Sequence, residues 1–307
     1  MTHLVTHDVF LAHDTGPHHP ERPDRLRAVL KALEAPAFAA LTRIEAPAAT
    51  RDQIERVHPP AQVDGVLASI PGKGLAHIDG DTVVSPQSGD AAFHAAGALC
   101  AAVDAVVSGA ATNAFCAVRP PGHHAEPSRA MGFCLFNSVA IGAMQARAVH
   151  GLARVAVVDF DVHHGNGTQV FAWENRDFFY ASTHQMPLYP GSGRASERGV
   201  GNIVNAPLEP GADGDAFRAA MTDTVLPVLR RFAPEIVFIS AGFDAHARDP
   251  LANLNLVEDD FAWATRELMA VADDHAQGRV VSCLEGGYDL QALASSAAAH
   301  VAALMEA

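Results

Sequence analysis

The sequence predicts an open α/β fold, a mostly parallel sheet flanked by helices, and three observations carry that prediction. Five short apolar runs bounded by turn residues have the length and composition of buried strands. Longer stretches with helical spacing separate or flank them. Each apolar run is followed at once by a polar or glycine-rich motif, so the chemistry gathers on one edge of the sheet.

The runs are AFCAV (114–118), RVAVVDF (154–160), FFYAS (178–182), EIVFIS (235–240) and RVVSCL (279–284). Near-continuous apolar character, rather than alternation, is the mark of strands covered on both faces. Helices are expected over 90–108, 136–150, 214–232, 258–276 and 289–305. Residues 71–90, dense in Gly, Pro and Asp, read as a surface loop. Residues 184–214 read as a second loop, of a length that tends to be functional. With no internal repeat or long polar linker, residues 1–307 are read as one domain. The motifs RPPGHH, DVHHGNG, THQ, AGFDAH and EGGYD follow the five runs in order. In parallel sheets, ligands bind beyond the carboxyl ends of the strands, so an active site is expected there.

Composition narrows the function. At 307 residues and 49% hydrophobic content, the chain can bury roughly three quarters of its extended surface. No apolar run approaches the ~20 residues needed to cross a bilayer, and MTHLVTHDVF does not read as a signal peptide. A cytoplasmic protein with no membrane partner is expected. Cys100, Cys116, Cys134 and Cys283 are scattered without C-x-x-C spacing, which argues against a disulfide framework or thiolate-held zinc. A net charge of −14 argues against direct nucleic-acid binding. Seventeen histidines against 21 Lys plus Arg suggest metal binding or proton transfer.

Three constellations carry the chemistry. In Asp159-Phe160-Asp161-Val162-His163, alternate residues share a side, so Asp159, Asp161 and His163 face one way. Asp161 and His163 are candidate ligands for one divalent metal, with Asp244 of AGFDAH as the third. Three protein ligands would leave a position open for water, as in catalytic zinc sites. The plainer alternative is that the two aspartates cap a turn. His123-His124 follow a Pro-Pro-Gly turn and suit a general base and acid. Each ring needs an orienting partner, and Asp159 and Asn166 are available. In Glu285-Gly286-Gly287-Tyr288, two glycines allow a sharp turn that presents a phenol to a developing oxyanion. A solvated turn, or a buried structural tyrosine, is the alternative for each of these.

RPPGHHA, MGFCLFN, VDFDVHHGNGTQ, YPGSG, SAGFDAH and EGGYDL, with HPERPDRL near the start, occur in this order from about residue 13 to residue 291. Together they resemble the histone deacetylase superfamily, and more closely its class II branch with the bacterial histone-deacetylase-like amidohydrolases. The resemblance implies an arginase-like open α/β sheet and zinc ligands Asp161, His163 and Asp244. It implies His124 as general base and acid, His123 as its electrostatic partner paired to Asp159, Asn166 beside His124, and Tyr288 polarising the substrate carbonyl. Phe133 and Tyr189 would wall an acyl-lysine channel, with Gly132, Gly287 and Leu251 completing it. Potassium would bind near zinc through Asp159, Asp161, the His163 backbone, Ser182 and Thr183, with a second site around 172–178. Arg25 would lie beside an internal acetate cavity.

The implied function is hydrolysis of N-acyl groups from lysine side chains or related acylated amines. An acetylpolyamine amidohydrolase is the main alternative, followed by a non-catalytic acyl-lysine binder and an arginase-like ureohydrolase with two manganese ions. Two carboxylates and one imidazole suit zinc and ferrous iron alike. Leu251 is expected to give the channel an apolar lip, favouring acyl-lysine over acetylpolyamines.

Overall fold

Strands buried on both faces form where every residue can be apolar, and the centre of the sheet is built that way. The computed structural model describes residues 1–306. Its elements run β1 (Thr2–Thr6), α1 (Pro23–Ala32), β2 (Thr42–Glu45), α2 (Arg51–Glu55), α3 (Pro60–Ser69), β3 (Ala76–His77), β4 (Val83–Val84), α4 (Ser88–Ser108), β5 (Asn113–Cys116) and α5 (Ser138–Ala148). They continue as β6 (Val155–Asp159), α6 (Asn166–Ala172), β7 (Phe178–Gln185), β8 (Ile203–Leu208), α7 (Gly214–Ala220), α8 (Leu226–Phe232), β9 (Ile236–Ala241), α9 (Glu258–His275), β10 (Val280–Leu284) and α10 (Leu290–Leu304).

The main sheet has eight strands in the order β2-β1-β5-β10-β9-β6-β7-β8. All its pairings are parallel. Every residue of β5, β6, β9 and β10 is buried, whereas β2 alternates between half-buried and exposed positions, as an edge strand should. Successive side chains on a strand point to opposite faces. On β5, Phe115 packs edge-on to His300 of α10, while the Cys116 thiol points to the Ala98 carbonyl of α4. The sheet is therefore covered on both sides, with α1, α9 and α10 packed together on one and α4 and α5 on the other.

Five predicted strands and their flanking helices are found close to the expected positions. The loop expected over 184–214 instead contains the end of β7 and all of β8. β8 carries Asn205 and Pro207, which mask it in the sequence; an edge strand tolerates proline because one side of it needs no ladder bond. The loop expected over 71–90 contains the short antiparallel β3–β4 pair. The helix expected over 214–232 is split into α7 and α8 by a π-helical turn at Met221–Val225. Pro227 has no N–H to donate one turn back, which accounts for the widened turn before it. α4 is long and apolar enough in composition to cross a membrane. Here its Leu99, Val103 and Val106 are buried against α5 and the sheet.

All four cysteines are free and buried, as their spacing implied. Beneath the sheet's carboxyl edge lies a buried ionic cluster. Both oxygens of Glu21 take charge-assisted bonds from Arg119, Arg25 donates to Glu21 Oε1 at 3.0 Å, and none of the three side chains is exposed. Arg119 also donates to the Phe10 and His13 carbonyls at 2.6 and 3.1 Å, tying the N-terminal segment to the loop after β5. Removing one partner of a buried pair leaves the other uncompensated. Arg119→Met also leaves the Phe10 and His13 carbonyls without their donor and is expected to lower unfolding free energy by about 3–5 kcal/mol, read from urea denaturation; Glu21→Gln in that background should deepen the loss, because the buried Arg25 is then left without a carboxylate. A loss below about 1 kcal/mol would show the cluster to be dispensable.

Candidate active site

Five adjacent strands, β5, β10, β9, β6 and β7, deliver their carboxyl ends to one place. β5 leads to His123 and His124, β6 to Asp161 and His163, β9 to Asp244, β10 to Tyr288, and β7 toward Tyr189. The five motifs thus converge as expected.

Asp161, His163 and Asp244 each offer a ligand atom, and these atoms lie within 4.8 Å of one another. His163 Nδ1 is 3.2 Å from Asp161 Oδ1 and 3.0 Å from Asp244 Oδ2. Both carboxylates are fully buried. Their remaining lone pairs are occupied by backbone: Gly286 N–H donates to Asp161 Oδ2 at 2.8 Å and Val162 N–H to Asp244 Oδ1 at 2.9 Å. A side chain at Gly286 is impossible, since its Cβ would lie 2.1 Å from Asp244 Oδ2. Burial opposes charge on His163, but the two carboxylates outweigh it and lift its pKa to about 10. The two carboxylates thus favour positive charge at this point, and with the imidazole in its neutral form they are a fitting donor set for a divalent metal. The turn-capping alternative is also present rather than excluded, because Asp159 Oδ1 accepts Asp161 N–H at 3.1 Å and Asp161 Oδ1 accepts His163 N–H at 2.9 Å.

The two adjacent histidines have different partners. His123 Nδ1 lies 3.0 Å from Asp159 Oδ2, and His124 Nδ1 lies 2.8 Å from Asn166 Oδ1. The Asn166 NH2 donates to Glu126 Oε1 at 2.8 Å, so its oxygen faces the ring and His124 carries its proton on Nδ1. Nε2 of His124 is left as the acceptor. Burial disfavours charge on His123, yet Asp161 and Asp159 outweigh it and hold its pKa well above the usual value. Burial, reinforced by the positive charges of His123 and His163, holds His124 well below it. Two neighbouring imidazoles are therefore driven apart, one cationic and one neutral. The buried Glu285 carboxylate supports their loop, accepting Gly122 N–H at 2.7 Å, His123 N–H at 3.2 Å and the Ser240 hydroxyl at 3.2 Å. Burial pushes its pKa up to about 7.

Above these groups is a cavity of about 240 Å³. His124, His163 and Tyr288 reach its base, Phe133 and Tyr189 form its walls, and Leu188, Leu251 and Asp81 border its mouth. Tyr189 stands edge-on to His124 with ring centroids 5.1 Å apart, and Phe133 edge-on to Tyr288 at 5.9 Å. Phe133 is presented by a two-residue turn between Met131 and Cys134, whose backbones exchange bonds of 3.1 and 2.9 Å. Gly132 and Phe133 have φ of +58° and +68°, the conformation of a type I′ hairpin turn. Glycine is required at 132 because a Cβ would lie 2.5 Å from the His124 ring. Burial pushes the Tyr288 phenol well above its ordinary pKa, which keeps its proton available to donate.

One expectation is corrected. Gly287 lies outside the cavity lining, and its carbonyl accepts Arg25 Nε at 2.6 Å. Leu251 lines the cavity, and so does Asp81, which has Asp79 close by. Asp81 was hidden in a stretch that reads as a surface loop. Asp249 was also missed: its carboxylate accepts Leu251, Tyr288 and Asp289 N–H. Ser182 is in register with Asp159 on the neighbouring strand, and Ser182 and Thr183 are both buried. Arg25 is fully buried with its guanidinium 4.8 Å from the centre of the Tyr288 ring.

Comparison with known proteins agrees with this geometry. The family described as Histone deacetylase domain matches residues 19–304. An uncharacterized protein of Synechocystis is 42% identical over 301 residues, covering 96% of this chain and 97% of that protein. A histone deacetylase-like amidohydrolase of Pseudomonas aeruginosa is 40% identical over 276 residues, covering 88% of this chain and 72% of its own length. The crystal structure of the HDA15 HD domain superposes with a TM-score of 0.94 at 35% identity, covering 99% of this chain and 89% of that one. With a match that spans nearly all of its sheet and every loop of the site, the chain belongs to the histone deacetylase family.

Proposed function

We propose that the protein is a metal-dependent amidohydrolase that removes acyl groups from lysine side chains or related acylated amines. The observation that carries this reading is that the Asp161–His163–Asp244 triad reaches, through His163, a cavity walled by Phe133 and Tyr189 that also holds a neutral imidazole and a protonated phenol. Zinc and ferrous iron both suit the ligands. When bound, the metal supplies Lewis acidity for the amide carbonyl and acidifies a water.

The chain's own residues do the rest. Phe133 and Tyr189 receive the aliphatic stem and exclude water from the base of the channel. Tyr288 donates its hydroxyl hydrogen bond to the carbonyl oxygen as negative charge builds there. His124 Nε2 accepts the proton released as water oxygen bonds the acyl carbon, and returns it to the amine nitrogen as the carbon–nitrogen bond breaks. His123, cationic against Asp159, adds positive potential next to this transfer. A potassium ion held by Asp159, Asp161, the His163 backbone, Ser182 and Thr183 is part of the proposal, supported by the register of Ser182 with Asp159. The reading requires neither nucleic acid nor membrane as partner.

A second reading, an acetylpolyamine amidohydrolase, is favoured by one observation: the Asp81 carboxylate at the mouth would face the distant ammonium of such a substrate. Leu251, which also lines the cavity, carries no charge. A non-catalytic binder would have no use for the neutral His124 beside the triad, and a two-manganese ureohydrolase would have none for Tyr288.

Asp161→Ala and Asp244→Ala are each expected to abolish bound metal and turnover; full occupancy by elemental analysis in both would remove the ligand assignment. His124→Ala should keep its metal and lose roughly 10²–10⁴ in kcat. Tyr288→Phe should lose about 10²–10³. Near-normal turnover of acetyl-lysine by either variant would refute its assigned role.

For substrate choice, acyl-lysine peptides should exceed N8-acetylspermidine in kcat/KM at physiological salt. Leu251→Glu should narrow that gap by an amount on the order of 1 kcal/mol, and Asp81→Asn should widen it. A wild-type preference for the acetylpolyamine would promote the second reading.

A further inference from the structure

Tyr288 follows two glycines, Gly286 and Gly287, so its own backbone does little to fix where the ring points. What holds it comes from elsewhere. Asp249, in the loop after β9, is 7% exposed and directs both carboxylate oxygens at backbone N–H groups. Oδ1 accepts Leu251 N–H at 3.0 Å, a local turn of the kind aspartate commonly makes. Oδ2 accepts Tyr288 N–H at 2.7 Å and Asp289 N–H at 3.3 Å, from a segment 39 and 40 residues further along the chain. Asp289 in turn caps α10, accepting Ala292 N–H at 2.8 Å. One carboxylate therefore joins the lip of the channel, the backbone of the oxyanion donor and the start of a long helix.

We propose that Asp249 is a positioning residue for the hydrolysis: its carboxylate fixes the Tyr288 backbone, and with it the place of the phenol hydroxyl over the metal site, while its other oxygen holds the Leu251 lip. The inference rests on the assignment of Tyr288 as carbonyl-polarising donor. An aspartate is needed because acceptors must face N–H groups from two directions. Asparagine would turn an NH2 toward one of them. Serine could preserve the local turn to Leu251 but falls short of Tyr288.

The test is a double-mutant cycle on an acetyl-lysine peptide, with kcat, KM, bound metal and thermal midpoint measured for wild type, Tyr288→Phe, Asp249→Asn and the double variant. In the wild-type background, Asp249→Asn is expected to lower kcat about tenfold or more, well inside the range of coupled neighbours. In the Tyr288→Phe background the same change should cost less than about twofold, because the group being positioned is already gone. Metal content should not change. Asp249→Ser serves as the second variant if Asp249→Asn folds poorly, and should lower kcat with KM nearly constant. An equal fold-loss in both backgrounds, or a loss of metal on changing Asp249, would overturn the proposal. Failure of the underlying reading appears in a different arm: Tyr288→Phe alone would then turn over normally.

Discussion

Asp159, Asp161, Asp244 and Glu285 are four carboxylates with no exposure at all, gathered at the ends of neighbouring strands. Charges of one sign cannot share a dry space unless each is answered, and the surrounding structure is largely the set of answers. His123 and His163 answer with positive charge. The loops answer with backbone: Gly286 N–H goes to Asp161, Val162 N–H to Asp244, and Gly122 and His123 N–H to Glu285. Those bonds require chain to pass very close to the carboxylates, which is why glycine stands at 286. The same negative potential holds His123 cationic, while burial and the neighbouring positive charge keep His124 neutral, so the tandem histidines part into one cation and one neutral imidazole.

The channel obeys a second constraint, that of shape. A left-handed pair of residues at Gly132 and Phe133 forms the turn that sends an aromatic ring toward Tyr288, and the backbone passes His124 too closely for any side chain at 132. Phe133 in that conformation is unfavourable for a residue with a bulky side chain, and such strain is found where a site over-determines the backbone. The wall and the base of the channel are consequently one packed unit, since His124 touches both the turn and Tyr189.

Much of this was legible in the sequence, for identifiable physical reasons. Runs such as VAVVD and VVSCL are apolar but for one residue each because both faces of the sheet are covered, and that leaves an unmistakable imprint. β1, β2 and β8 leave a weaker one: they mix Thr, Arg, Glu, Asn and Pro into their pattern. At the site, Asp161, His163, Asp244, His123, His124 and Tyr288 advertise themselves by residue type and spacing. Glu285, Asp249 and Asp81 do not. The first two act by accepting backbone N–H groups from distant loops, and no spacing along the chain encodes that approach. Asp81 gains significance from the β3–β4 pair, which brings a stretch that looks like plain loop to the mouth of the channel.

β10 is the last strand made, yet it occupies the middle of the sheet, between β5 and β9. Until it is in place, β2-β1-β5 and β9-β6-β7-β8 are two separate half-sheets with unpaired inner edges. The tandem histidines belong to one half and the Asp161–His163–Asp244 triad to the other. A growing chain therefore carries the triad and both histidines before Tyr288 and the strand that joins the two half-sheets. Placing Tyr288 at the site and closing the sheet thus depend on the same late strand, and the open edges before it are where the chain is most prone to pair wrongly with a neighbour.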